Sequence, residues 1–211
     1  TYVTSSQIEL VGNAVYDMAE ASFHATASVS YLYHALNASN IRVIGGTFIY
    51  VPGTSAKSTQ DAIDYLTGTC IGMTNCSNVE VHGQSFLRSG GGVRINDSTD
   101  CWIHNTYSNA ALAPIAVISY TGNTGVTHDT SRITVSENIS YGSGDDFIAC
   151  LIQSGAYGLR DIVVKDNLCD GSAFVVAASG TIRVGRYGGS GSAYNVTISG
   201  SKMVGMNSKC F

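Results

Sequence analysis

Charge is what this chain of 211 residues has least of. Asp, Glu, Lys and Arg make up 12% of it, about half the usual share. Lys and Arg total 11, form no run, and leave a net charge of -4. A nucleic-acid ligand calls for a basic stripe against its phosphates, so that partner class has no electrostatic support. No window reaches the roughly 18 apolar residues of a membrane span, so no membrane insertion is expected. The N-terminal residues lack a signal-peptide pattern, which fits a mature chain, a fragment or another export route. No GxSxG, HExxH or phosphate-cradling loop occurs, so serine hydrolase, zincin and nucleotide readings have no motif behind them. The cysteines Cys70, Cys76, Cys101, Cys150, Cys169 and Cys210 form no CxxC pair and have no histidine at zinc spacing. No metal and no cofactor is expected.

Cys101 and Cys150 lie inside apolar runs, which suits buried thiols used as small hydrophobes. If a disulfide forms, Cys70–Cys76 is the simplest pairing. Free thiols would imply folding in a reducing cytosol. Pro occurs only twice, whereas Gly reaches 24. With abundant Ser, Thr and Asn, this composition fits many short strands joined by tight turns under a neutral polar surface.

What the chain does have is a repeat. Ala38-Ser39-Asn40-Ile41-Arg42-Val43-Ile44-Gly45 returns as Cys76-Ser77-Asn78-Val79-Glu80-Val81-His82-Gly83. It returns again at Ser98–Asn105, Ser131–Ser136, Arg160–Asn167 and Tyr194–Gly200. The template is Asn, Asp or Arg, then apolar, x, apolar, x, with Gly or Asn close behind. Such strict alternation is the mark of a half-buried strand. A second apolar run accompanies each copy, from Tyr31–Leu36 to Ala173–Ala177. Two strands per repeat, with Asn37, Asn75, Asn105, Asn138 and Asn167 at the turns, describe stacked coils. An antiparallel sandwich would not repeat one template six times. The expected fold is all-β, a right-handed parallel β-helix of about six coils over residues 31–211, as a piece of a longer helix. Residues 1–30 are expected to form an irregular or capping segment, with Val15–Ala27 as a short helix or irregular cap. Polar insertions near Pro52–Ala62 and Thr121–Asp129 suit loops flanking a groove.

The alternation also sorts outward residues. Glu80, His82, Trp102 and His104 become stacked neighbours. An exposed Trp can serve as a sugar platform, because its ring face packs on sugar C–H surfaces; it can equally pack under a loop. His34, Gly72 and Arg94 share a column of the other strand set. Asn-x-Ser/Thr sequons occur at Asn37, Asn75, Asn96, Asn138 and Asn195, and matter only in a eukaryotic secretory route.

Gly142-Ser143-Gly144-Asp145-Asp146 opens directly into the apolar run Phe147-Ile148-Ala149-Cys150. Adjacent carboxylates raise each other's proton affinity, which suits an acid and a base. Inverting glycoside hydrolysis needs the two about 6.5–9.5 Å apart. Neighbouring Asp residues in a strand point opposite ways unless the preceding turn bends the chain. The other reading is a turn whose carboxylate caps backbone N–H groups.

The segment from Asn123-Thr124-Gly125 through Ser131–Ser136 to Gly144-Asp145-Asp146 resembles the core of the polygalacturonase-type glycoside hydrolases. The resemblance implies the pectin-lyase-like fold, with Asp145 and Asp146 as general acid and base. The family's third Asp is missing between Thr124 and Gly125, and its Gly-His-Gly is absent after Asp146. Its Arg-Ile-Lys has an echo in Ile182-Arg183-Val184. His128 and Asp129 lie nearby, out of register. The overall character also resembles bacteriophage tailspike depolymerases, which implies an extracellular or virion location and a homotrimer. The expected function is hydrolysis of a glycosidic bond in a bacterial surface or other extracellular polysaccharide. Arg94, Trp102, His104, His128 and Arg183 are the expected substrate-binding residues. The alternatives are a polysaccharide lyase using Arg94 or Lys165 as charge neutraliser, and a non-catalytic glycan-binding or structural fibre segment.

Overall fold

The computed structural model describes residues 1–25, 30–50, 68–87, 89–109, 113–120, 126–141, 146–170, 182–186, 188 and 190–205. Among the described residues every regular element is a β-strand. After β1 (Tyr2–Thr4), strands follow in threes. The first three are β2 (Ile8–Glu9), β3 (Ala14–Asp17) and β4 (Ser22–Ala25). Then come β5 (Tyr31–Leu36), β6 (Ser39–Ile44) and β7 (Thr47–Tyr50), and next β8 (Thr69–Thr74), β9 (Ser77–His82) and β10 (Ser85–Leu87). The middle coils are β11 (Gly91–Asn96), β12 (Thr99–His104), β13 (Tyr107–Asn109), and β14 (Ala113–Tyr120), β15 (Thr130–Ser136), β16 (Ile139–Tyr141). The last are β17 (Ile148–Ser154), β18 (Leu159–Lys165), β19 (Leu168–Asp170), and β20 (Ile182–Arg186), β21 (Ala193–Ser199), β22 (Lys202–Val204).

Each strand pairs in parallel with the strand three places on, which builds three sheets. Sheet one runs β2-β5-β8-β11-β14-β17-β20, sheet two β3-β6-β9-β12-β15-β18-β21, and sheet three β1-β4-β7-β10-β13-β16-β19-β22. This is the expected right-handed parallel β-helix. Two details differ from expectation. The helix begins before residue 31: β3 and β4, within the stretch expected to be a cap, pair in register with β6 and β7. Each coil also has three strands rather than two. The third is often only three residues long, too short for alternation to be visible.

The template letters have a physical reason. Asn13, Asn40, Asn78, Asp100, Arg132, Asp161 and Asn195 all hold φ between 52 and 56°. This left-handed conformation bends the chain into each sheet-two strand. Asn and Asp tolerate it because their short polar groups bond locally. Their side chains then stack up the helix. Asn40 Nδ2 donates to Asn13 Oδ1 at 2.7 Å, and Asn78 Nδ2 to Asn40 Oδ1 at 2.8 Å. Arg132 is the exception in type; its guanidinium grips both oxygens of Asp100, at 2.6 and 2.7 Å.

A second left-handed column, Gly45, Gly83, Asn105, Glu137, Asp166 and Gly200, marks the corner between sheets two and three. The residue after each turns inward. There Asn138 Oδ1 accepts from Thr106 N at 3.0 Å, and Asn138 Nδ2 donates to Asn167 Oδ1 at 2.9 Å. Asn138 and Asn167 are therefore buried ladder residues beside the turn, not the turn residues themselves.

The core is a set of columns. Ile41, Val79, Cys101, Ile133 and Ile162 lie in register, as do Val43, Val81, Ile103, Val135 and Val164, and all are buried. Each such aliphatic side chain contributes about 1.5–3 kcal/mol by leaving water. In sheet three Phe23, Phe48 and Phe86 stack at centroid distances of 5.1 and 5.6 Å. Cys70, Cys76, Cys101, Cys150 and Cys169 are buried thiols outside any disulfide, so the Cys70–Cys76 bridge is not formed.

Candidate functional site

The outward residues of sheet one form the first candidate face. Register places His34, Gly72, Arg94, Ala116, Ala149 and Arg183 in one column. Asp146 lies two residues before β17. It is 5% exposed, and its Oδ2 stands 3.6 Å from Arg183 Nη1, an ion pair rather than a direct hydrogen bond. The Arg183 side chain is 47% exposed. A buried carboxylate is thus capped by a cation that still faces solvent. Asp145 and the Gly142-Ser143-Gly144 turn lie outside the described residues, as do Asn123-Thr124-Gly125 and the loop near Pro52–Ala62.

Arg94 occupies the same column as Arg183, three strand spacings away, or about 14 Å. Alanines 116 and 149 lie between them. Arg94 Nε donates to Asn96 Oδ1 at 3.0 Å, and Nη2 to Gln153 Oε1 at 3.4 Å. Asn96 in turn donates to the Tyr31 hydroxyl at 2.9 Å. The Tyr31 ring lies over Gly72, where a Cβ would meet it at 2.2 Å, and stacks on His34 with centroids 4.5 Å apart. Burial lowers the His34 pKa, partly opposed by Glu9. The ring is held in a polar network, with Nε2 at 3.1 Å from Thr74 Oγ1, rather than set free in a cleft.

His128 is exposed ahead of β15 and joins neither group. Its neighbour Asp129 is tied down by Gly158 N at 2.8 Å and the Tyr194 hydroxyl at 2.9 Å. That fastening leaves Asp129 a clamp between coils.

Trp102 and His104 lie on sheet two, around the corner from Asp146. The expected site is therefore divided between two faces: Arg94, Asp146 and Arg183 on one, Trp102 and His104 on the other. On sheet two, Glu80 is the hub. Its Oε2 meets Arg42 Nε at 2.7 Å and its Oε1 meets His104 Nε2 at 3.0 Å. Asn105 Nδ2 donates to His104 Nδ1 at 2.9 Å, so the His104 proton belongs on Nε2. The Trp102 indole stacks on His104 at 3.7 Å and donates through Nε1 to Ser136 Oγ at 3.1 Å. His82 stacks on His104 at 5.0 Å. Desolvation lowers the His82 pKa, opposed by Glu80 and reinforced by His104 and Arg42. A groove of 440 Å³ opens beside this cluster, lined by Asn40, Asn78, Arg42, Glu80, Asp100 and Trp102 among others. Of this cluster the sequence points to Trp102 and His104 as binding residues and to Glu80 as their outward neighbour, but gives no role to Arg42 or Asp100. The usable signal was register: Asp100 shares β12 with Trp102, while Glu80 and Arg42 follow one and two coils before Trp102 in the same column.

No family model matches the chain, and no curated protein matches it. Among solved structures, the hyperthermoactive exopolygalacturonase of Thermotoga maritima matches with a TM-score of 0.57 at 13% identity. The match covers 94% of this chain and 56% of that enzyme, so the chain spans little more than half its length. The chain therefore has the right-handed parallel β-helix fold of that enzyme.

Proposed function

We propose that this chain hydrolyses a glycosidic bond in an extracellular polysaccharide, with Asp146 as one carboxylate of the acid/base pair. The observation that carries the reading is the Asp146–Arg183 pair: a buried carboxylate beneath a solvent-facing guanidinium on the outer side of sheet one. A carboxylate in this position is shielded from bulk water yet next to a group that can meet a sugar. The exopolygalacturonase of the same fold supports the choice of substrate class. Asp145 is the proposed second carboxylate. Arg94 and Arg183, flanking the two alanines, are the proposed contacts for an acidic or polar sugar. Arg94 is fixed before substrate arrives, held by Asn96 and Gln153.

The lyase reading is weaker on this geometry. It would use Arg94 or Lys165 as the neutraliser, and Lys165 projects from sheet two beside Ser136, away from Asp146.

The test is turnover of a panel of extracellular polysaccharides, following new reducing ends and the ultraviolet absorbance of unsaturated sugars in parallel. Hydrolysis gives the first without the second. Asp146→Asn is expected to lower the rate by about 10²–10⁴-fold, the contribution of a general acid or base. Full activity in Asp146→Asn, or an unsaturated product, overturns the proposal.

A further inference from the structure

We propose that the sheet-two groove beside Trp102 is a separate binding site for a neutral polysaccharide strand, independent of cleavage at Asp146. Three observations carry it.

The first is the platform. Trp102 is 44% exposed although it sits in the middle of the stack. One indole face is backed by His104 at 3.7 Å, and Nε1 is anchored on Ser136. The ring is thereby held rigid, and its remaining surface lines the groove. A fixed aromatic face loses little conformational freedom when a sugar ring packs on it.

The second is shape. The groove draws residues from four successive coils: Val15, then Asn40 and Arg42, then Asn78 and Glu80, then Asp100 and Trp102. Four strands at parallel-sheet spacing span about 14 Å. That length suits a run of sugar units rather than one. Its 440 Å³ falls in the range of about 300–1,000 Å³ of small-molecule sites.

The third is charge. The groove's ions come already paired: Arg42 with Glu80 at 2.7 Å, and Asp100 with Arg132 at 2.6 Å. A polyanion would face two carboxylates and break those pairs. The Asn13–Asn40–Asn78 ladder adds amides, and each ladder bond uses only one of an amide's two N–H groups. Paired ions and amides recognise hydroxyls. Among the described residues no group of three His, Cys, Asp or Glu gathers to hold a metal ion.

The experiment is affinity electrophoresis of the chain through gels containing dextran, galactomannan or hydroxyethylcellulose, with polygalacturonate as the anionic comparison. Retardation is expected in at least one neutral gel. Trp102→Ala is expected to weaken it about tenfold or more, as for other aromatic anchors, while Trp102→Phe retains most of it. Val15→Arg fills one end of the groove from an exposed position and is expected to weaken it without touching the stack. Asp146→Asn should leave it unchanged. No retardation in any neutral gel, retardation by polygalacturonate alone, or Trp102→Ala and Val15→Arg behaving as wild type would each overturn the site. Loss of retardation in a folded Asp146→Asn variant would also overturn it, by placing binding on sheet one. Cleavage lost with retardation intact separates the two proposals.

Discussion

Replacing Asn138 by alanine should cost this fold more than its small size suggests. Asn138 is 0% exposed. Its Oδ1 accepts from Thr106 N at 3.0 Å and Thr106 Oγ1 at 2.8 Å, and its Nδ2 donates to Asn167 Oδ1 at 2.9 Å and Ile103 O at 3.3 Å. Alanine removes all four bonds, each worth about 1 kcal/mol net. It also strands the buried Thr106 N–H, at about 1–3 kcal/mol. The expected loss is about 3–5 kcal/mol, allowing for incomplete additivity. Asn40→Ala is the matched control, because its amide ladder is exposed and water replaces its two bonds, to Asn13 and from Asn78; about 1 kcal/mol is expected there, mostly from the left-handed φ. Urea unfolding followed by the sole tryptophan, Trp102, reads both, since it lies on β12 next to the Thr106 corner. If Asn138→Ala cost no more than Asn40→Ala, the buried ladder would not be what holds the sheet-two to sheet-three corner.

Gly72→Ala should destabilise by about 1–3 kcal/mol, because the new Cβ would meet the Tyr31 ring at 2.2 Å; unchanged urea stability together with unchanged tyrosine fluorescence would refute that packing. Burial raises the thiols of Cys70 and Cys150 to about 12. A folded pKa above the unfolded value means this stability is complete below the unfolded value of about 8.5 and fades as pH climbs toward the folded one. Cys70, Cys76, Cys101, Cys150 and Cys169 should therefore resist iodoacetamide at pH 8 in the native chain and label on unfolding, with site-resolved mass spectrometry as the readout. Rapid native labelling of Cys101 would contradict its place in the core column.

The features legible in the sequence were those written into nearest-neighbour geometry. Alternation in Ile41-Arg42-Val43-Ile44 and its copies fixes which residues face in, because successive Cβ atoms leave opposite sides of a strand. The leading Asn or Asp is readable because few other residues accept a positive φ. The earliest copy, Asn13-Ala14-Val15-Tyr16-Asp17, was not recognised. Alanine and tyrosine hold the two inward apolar positions, so the aliphatic signal vanishes while the bend remains. Sheet three was hidden for a different reason: Ser85–Leu87 and Tyr107–Asn109 give alternation one inward residue to show.

The candidate site was legible only in part. Arg183 was chosen from a three-residue echo, and the fold brings it to Asp146 across neighbouring coils. Trp102 and His104 were assigned to that same site, yet the corner between sheets one and two, where Asp97 takes a left-handed φ, puts them on another sheet. Arg42 and Asp100 escaped notice because their meaning is a partner, Glu80 or Arg132, that lies one coil away.

By itself, then, the sequence determined the coil: its strands, its bends and its inward stack, since these follow from local stereochemistry repeated. Tertiary structure alone decided that the candidate site residues fall on two different sheets and which charges neutralise each other. Those relations depend on the length of each turn and on strand pairing between coils some 22 to 40 residues apart, where unequal repeat lengths blur the register that periodicity can carry.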